Sequence, residues 1–168
     1  IAERGIEVVN SQNIRIQGAN FDGNGSETSE SGAPLAPRGL LAIEITDSDD
    51  LEILSPRIRD FEAGVEFESG INGRLDSATL TNLDEALFLN GTDGFEVSDG
   101  VWNLNETGVR MTDAINTLVD GAEMDFSNGT GARRAIEAGV FSLAKANNNR
   151  FQNMTVTQGS ILLENNLN

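Results

Sequence analysis

The sequence contains no cysteine, no histidine and no tyrosine, and Lys145 is its single lysine beside ten arginines. Each absence closes off some chemistry. Without cysteine there is no disulfide and no thiolate metal site. Without histidine the commonest general base is gone, and without tyrosine so is a phenolic acid. No stretch approaches the ~18 consecutive apolar residues of a membrane-spanning helix, so membrane insertion is not expected. Positive charge is scarce: 11 basic against 27 acidic side chains leave a formal net charge of −16. That balance argues against nucleic acid and anionic membrane surfaces, because phosphate recognition needs the opposite sign. It suits a very soluble secreted domain, bound cations, or a salty medium. The chain opens on Ile1 with neither an initiator Met nor a signal peptide, which reads as a processed or excised part of something longer. Its 168 residues make one domain, 1–168, with enough chain for a sizeable core.

What the sequence does have is a register. From Ala42 onward four apolar columns recur at a step of 22 residues. They are Ile43, Val65, Leu87, Val109; Ile45, Phe67, Leu89, Met111; Ile53, Leu75, Val97, Val119; and Ile58, Leu80, Trp102, Met124. Small residues punctuate one place in each unit: Ala42, Gly64, Ala86 and Gly108. Turn residues fall between the columns, as in Asp47-Ser48-Asp49-Asp50 and Asn72-Gly73. Within a unit the apolar residues alternate (Val65-x-Phe67), which is the period of a strand. Short strands, short turns and a fixed step of this size predict a solenoid in which each unit is one coil.

Both ends join the register once two lateral loops are allowed. Ile6, Val8, Ile16 and Phe21 fit if about 15 residues are inserted at about 23–37. Phe141, Leu143, Phe151 and Val156 fit if about 10 residues are inserted at about 127–139. Ile161 and Leu163 then begin a seventh coil. Residues 132–138, Ala-Arg-Arg-Ala-Ile-Glu-Ala, read as one or two helical turns on the second loop.

Three strands per turn and this coil length resemble the right-handed parallel β-helix of the pectin-lyase-like superfamily. The stretch from Asn10 to Gly25, NSQNIRIQGANFDGNG, carries the resemblance most directly. It implies an all-β fold of about seven coils and three short parallel sheets. The superfamily hosts lyases, hydrolases, phage spikes and inert scaffolds, so the resemblance fixes no activity. Its hydrolases carry clustered aspartates with Gly-His-Gly and Arg-Ile-Lys, none of which occurs here. Its pectate-type lyases need a basic cleft. Arg57 and Arg59 are followed 22 residues on by Thr79 and Thr81, then by Val101 and Asn103, so no such cleft continues.

The register also predicts which outward side chains stack. Arg15, Glu52, Arg74 and Glu96 alternate in sign, as adjacent parallel strands prefer. Glu7, Glu44 and Glu66 form an unbroken acidic row, followed by an outward Phe88 and by Arg110. The row is a divalent-cation site or a solvated face. Asp22-Gly-Asn24-Gly has the alternating oxygens of a calcium loop without the distal bidentate Glu, and a β-turn accounts for it equally. No cofactor is required; Ca2+ is the ion these residues suit. Sequons at Asn24, Asn90, Asn105, Asn128 and Asn153 lie near turns. The expected function is a non-catalytic, secreted or cell-surface solenoid: a scaffold, adhesin segment or glycan-binding module. Its expected partners are a polysaccharide or surface glycan, or other subunits stacked end to end. The alternative is a segment of a polysaccharide lyase or glycoside hydrolase.

Overall fold

A computed structural model describes residues 4–23, 39–129, 132–139 and 148–164. Among them every regular element is a strand, in the order β1 (Arg4–Val9), β2 (Gln12–Gln17), β3 (Asn20–Asp22), β4 (Gly39–Thr46), β5 (Asp49–Leu54), β6 (Arg57–Arg59), β7 (Phe61–Glu68) and β8 (Gly73–Asn90). There follow β9 (Glu96–Thr112), β10 (Leu118–Asp120), β11 (Glu123–Asp125), β12 (Arg134–Gly139), β13 (Arg150–Gln152), β14 (Thr155–Thr157) and β15 (Ser160–Glu164). All pair in parallel and all belong to one sheet. Separate sheets were expected. The structure joins them because β8 and β9 run unbroken past left-handed residues, Ser77 and Asn82 in β8 and Asp99 in β9, shifting register only between Thr81 and Glu85.

Pairing follows the predicted step. Ile43 faces Val65, Val65 faces Leu87, and Leu87 faces Val109. Ile58, Leu80, Trp102 and Met124 are neighbours in the same way. These residues are buried because alternate positions of each strand face inward, and every unit supplies the next with an apolar partner. The four columns omit some of the core. Leu51, Phe61, Leu83, Phe95, Leu104 and Phe126 are also buried, mostly where the chain turns. Phe67 and Phe95 pack with ring centroids 5.4 Å apart. Gly73 makes room for them: a Cβ there would lie 2.3 Å from the Phe95 ring.

Turns are built from residues that tolerate a left-handed backbone. Asn10, Asp47, Ser69, Gly91 and Asp113 occupy one corner, all with φ between 49° and 61°. Asn13, Asp50, Asn72, Gly94 and Asn116 occupy a second, and Gly18, Ser55, Ser77, Asp99, Gly121 and Asn153 a third. Glycine pays no steric penalty at positive φ, and Asn, Asp and Ser tolerate it through local hydrogen bonds. The side chains then link successive units: Asn72 donates to Asp50 at 3.1 Å, Asn82 to Asp60 at 2.6 Å, and Asn116 to Asp93 at 2.6 Å.

The ends obey the register with one correction. Phe21 faces Ile58, a step of 37 residues, so fifteen extra residues do enter there; the loop over residues 24–38 lies outside the described residues. Near the C-terminus the expected loop at 127–139 is misplaced, and its helical turns are absent. Residues 134–139 form β12, which pairs with β9 and β15, and Ile136 and Ala138 take the places expected for Phe141 and Leu143. Burial decides it. Ala135, Ile136 and Ala138 are enclosed while Arg134 and Glu137 point outward and form an ion pair at 2.7 Å. Ala135 continues the small-residue column after Gly108, whose Cβ would lie 2.5 Å from the Ala135 carbonyl oxygen. Phe141 and Leu143 themselves lie outside the described residues. Ile161 and Leu163 do begin a further unit, and both are about half exposed.

Trp102 is fully buried, with Leu80 and Met124 as its strand neighbours. Replacing it with Ala removes a large core side chain, so Trp102→Ala is expected to destabilise the fold by about 3–5 kcal/mol. Denaturant unfolding measures this, and a loss under about 1 kcal/mol would contradict the packing described.

Candidate functional site

The outward column on β1, β4, β7, β8, β9 and β12 carries Glu7, Glu44, Glu66, Phe88, Arg110 and Glu137 in register. The three glutamates are therefore strand neighbours, as expected. Their carboxylates are nevertheless not gathered as a ligand set: among the described residues no group of three or more acidic side chains could hold a metal ion. Strand neighbours sit about 4.8 Å apart, and a glutamate side chain is long enough to splay away from like charge. Asp22 is engaged by the Arg59 guanidinium, so the carboxylate of the expected calcium loop serves an ion pair. Asn24 lies outside the described residues.

Further along the same column the chemistry changes. Arg110 lies over the Phe88 ring, 4.5 Å from its centroid, in a cation–π contact. Its Nε and Nη2 donate to the two carboxylate oxygens of Glu85 at 2.7 and 3.0 Å, a bidentate pair. The Glu85 side chain is only 17% exposed. Burial pushes its pKa above the ordinary carboxylate value, Arg110 opposes this, and the charges of Glu66 and Glu137 add to the rise. A cleft of about 360 Å³ opens here between Asp84, Glu85, Glu106, Thr107, Arg110 and Glu137. Glu85 had no place among the sequence-level candidates. Its one signal was its position just before Ala86 of the small-residue column.

A larger groove of about 710 Å³ crosses β2, β5, β8 and the Gly94–Glu96 segment entering β9. It is lined by the left-handed residues Asn13, Asp50, Asn72 and Gly94 and by the charge ladder Arg15, Glu52, Arg74 and Glu96. The ladder has the expected register, but only part of it forms ion pairs across strands. Arg15 reaches Glu52 at 3.6 Å, whereas Arg74 turns to Asp76 on its own strand at 3.4 Å and Glu96 accepts from Ser98 at 2.7 Å. Exposed charges gain little from one another in water, so a neighbour two residues along the strand competes on equal terms.

Three of the sequons are occupied by structure. Asn90 donates to Glu68 at 2.9 Å, Asn105 to Asp84 at 3.0 Å, and Asn153 to Asp120 at 2.7 Å. Asp120 also accepts from Gln152 at 2.9 Å, and these two hydrogen bonds hold its pKa below the ordinary value. No family model, no curated protein and no solved structure matches the chain.

Two pH dependences follow from these shifts. The folded pKa of Glu85 is raised, so its contribution is complete at low pH and is lost as pH rises through that value. The stability difference between Glu85→Gln and wild type should therefore move in the variant's favour as pH rises, read from denaturant midpoints. A wild-type advantage that grows with pH would contradict it. Asp120 behaves oppositely: its folded pKa is lowered, so its contribution is present near neutrality and is lost as pH falls through that value. Asp120→Ala should speed amide hydrogen exchange in β13 at pH 7, and acid should erase the difference. Equal exchange at pH 7 would refute the link.

Proposed function

We propose that this chain is a right-handed parallel β-helix, a solenoid of about seven coils. We further propose that it serves a secreted or cell-surface protein as a non-catalytic module whose outer faces bind glycan. The single observation that supports this best is where the outward carboxylates are spent. Asp50, Asp60, Glu68, Glu85, Asp93 and Asp120 each accept a hydrogen bond from a side chain of the adjoining unit. Such groups stiffen a stack and are poorly disposed to carry protons for a reaction. The step of 22 that carries Ile43 to Val65, Leu87 and Val109 supports the solenoid, since each unit buries its apolar edge against the next. The acidic surface favours a neutral or cationic ligand over nucleic acid.

The reading as part of a polysaccharide-cleaving enzyme draws on one observation, the raised pKa of Glu85 in a cleft beside Glu106 and Glu137. Both Glu85 oxygens face Arg110, however, which ties the carboxylate to an ion pair. Incubation with neutral and uronate polysaccharides, assayed for new reducing or unsaturated ends, separates the two readings. No new ends are expected. Turnover by wild type that is abolished in Glu85→Gln would overturn the non-catalytic proposal.

A further inference from the structure

Three carbonyls along one edge of the stack show how successive units are joined. The Gly70 oxygen accepts from the backbone N–H of Asp93 at 3.1 Å, and the Thr92 oxygen from that of Ile115 at 3.0 Å. One unit further on, the Ala114 oxygen accepts instead from a side chain, the Nδ2 of Asn149 at 3.0 Å. The Asn149 Oδ1 in turn accepts from the backbone N–H of Thr117 at 2.9 Å. A carboxamide carries the donor and acceptor of a peptide group, so the Asn149 side chain takes a place that backbone fills in the two preceding units. The next residue resumes the ordinary pattern. The Arg150 N–H donates to the Thr117 oxygen at 2.8 Å, as the Leu118 N–H does to the Phe95 oxygen at 2.9 Å.

The residues that follow are fastened by side chains at each further turn. Gln152 and Asn153 both donate to the Asp120 carboxylate, at 2.9 and 2.7 Å. Arg133 donates to Gln158 Oε1 at 2.8 Å, and the Ser160 hydroxyl donates to the Arg133 carbonyl at 3.1 Å. Apolar anchoring is weaker here than elsewhere. Phe151, Met154 and Val156 are only partly buried and Ile161 and Leu163 are half exposed, whereas Val119, Met124 and Ile136 beneath them are enclosed. Segments that bury little apolar surface sit at the low end of local stability, and a solenoid unit can part from its neighbour without disturbing the rest. We infer that residues 149–164 form a strap, seated by Asn149 and the turn latches, which opens and closes as one body on a fold that stays intact. Opening bares the edges of β10, β11 and β12 together with Val119, Met124 and Ile136. It also uncovers the Phe126 ring, over which Gly159 passes so closely that a Cβ there would lie 2.8 Å away. The strap thus controls access to an apolar strand edge.

The test is residue-resolved hydrogen exchange of the whole chain in low denaturant. The amides of Arg150, Thr155 and Ser160 are the probes, bonded to the oxygens of Thr117, Ala122 and Arg133 at the start of each strap strand. All three should share one opening equilibrium, easier than that of β7 and β8. Asn149→Ala removes two hydrogen bonds and should speed exchange at all three by about tenfold, although Thr155 and Ser160 lie beyond the reach of its side chain. Amides in β7 and β8 should be unaffected. Glu123 and Thr155 are paired across β11 and β14, so an oxidised Glu123→Cys/Thr155→Cys variant should slow exchange at Arg150 and Ser160 as well. This second variant adds a link and removes no latch, so it decides the matter even where Asn149→Ala fails to fold. Acceleration confined to Arg150, a disulfide that slows Thr155 alone, or strap amides that exchange only with β7 and β8 would each overturn the strap.

Discussion

Parallel pairing in register makes each residue the lateral neighbour of its own counterpart in the next unit. That constraint governs every column. An inward column must stay apolar, as Ile58, Leu80, Trp102 and Met124 do in one and Ile45, Phe67, Leu89 and Met111 in another. The column of Ala42, Gly64, Ala86, Gly108 and Ala135 must stay small, because each glycine faces the carbonyl oxygen of the following alanine with no space for a Cβ. Outward columns have fewer restrictions, and there the sequence drifts from glutamate to phenylalanine to arginine without disturbing the stack.

Corners carry the same constraint in a different form. A left-handed residue in one unit demands one in the next, or the strands beyond it lose register. The chain meets this with Asn, Asp, Ser and Gly, and the amides and carboxylates so placed become hydrogen-bond partners one strand apart. The corners thus supply backbone geometry and lateral cohesion together. The interior is less complete: the hydroxyls of Thr92 and Thr117 and the indole Nε1 of Trp102 are buried without a protein partner. Each lowers the stability gained by burial, since an unmet polar group costs about 1–3 kcal/mol.

The apolar columns were legible in the sequence because burial constrains every unit alike and a 22-residue step leaves few alternatives. The strand Arg134–Gly139 was not, although Ala135 continued the small-residue column in plain view. Its alanines and arginines favour a helix locally, and only the pairing of Ile136 with Val109 and Ile161 overrides that preference. The acidic row of Glu7, Glu44 and Glu66 was legible as a row, because register fixes which Cα atoms are neighbours. Glu85 was invisible for the opposite reason: its importance comes from burial beside Arg110, three strand positions and one unit away, which no single-column reading captures.

The central claim is the parallel register itself, and the absence of cysteine makes it directly measurable. Thr81 and Asn103 are paired across β8 and β9, whereas Thr81 and Val101 are offset by two positions. Paired Cα atoms lie about 4.8 Å apart, within disulfide range, and the offset pair about 8 Å apart, beyond it. Under mild oxidation the double variant Thr81→Cys/Asn103→Cys should cross-link in the native state, and Thr81→Cys/Val101→Cys should remain reduced. Preferential cross-linking of the offset pair would contradict the register and with it the account built on it.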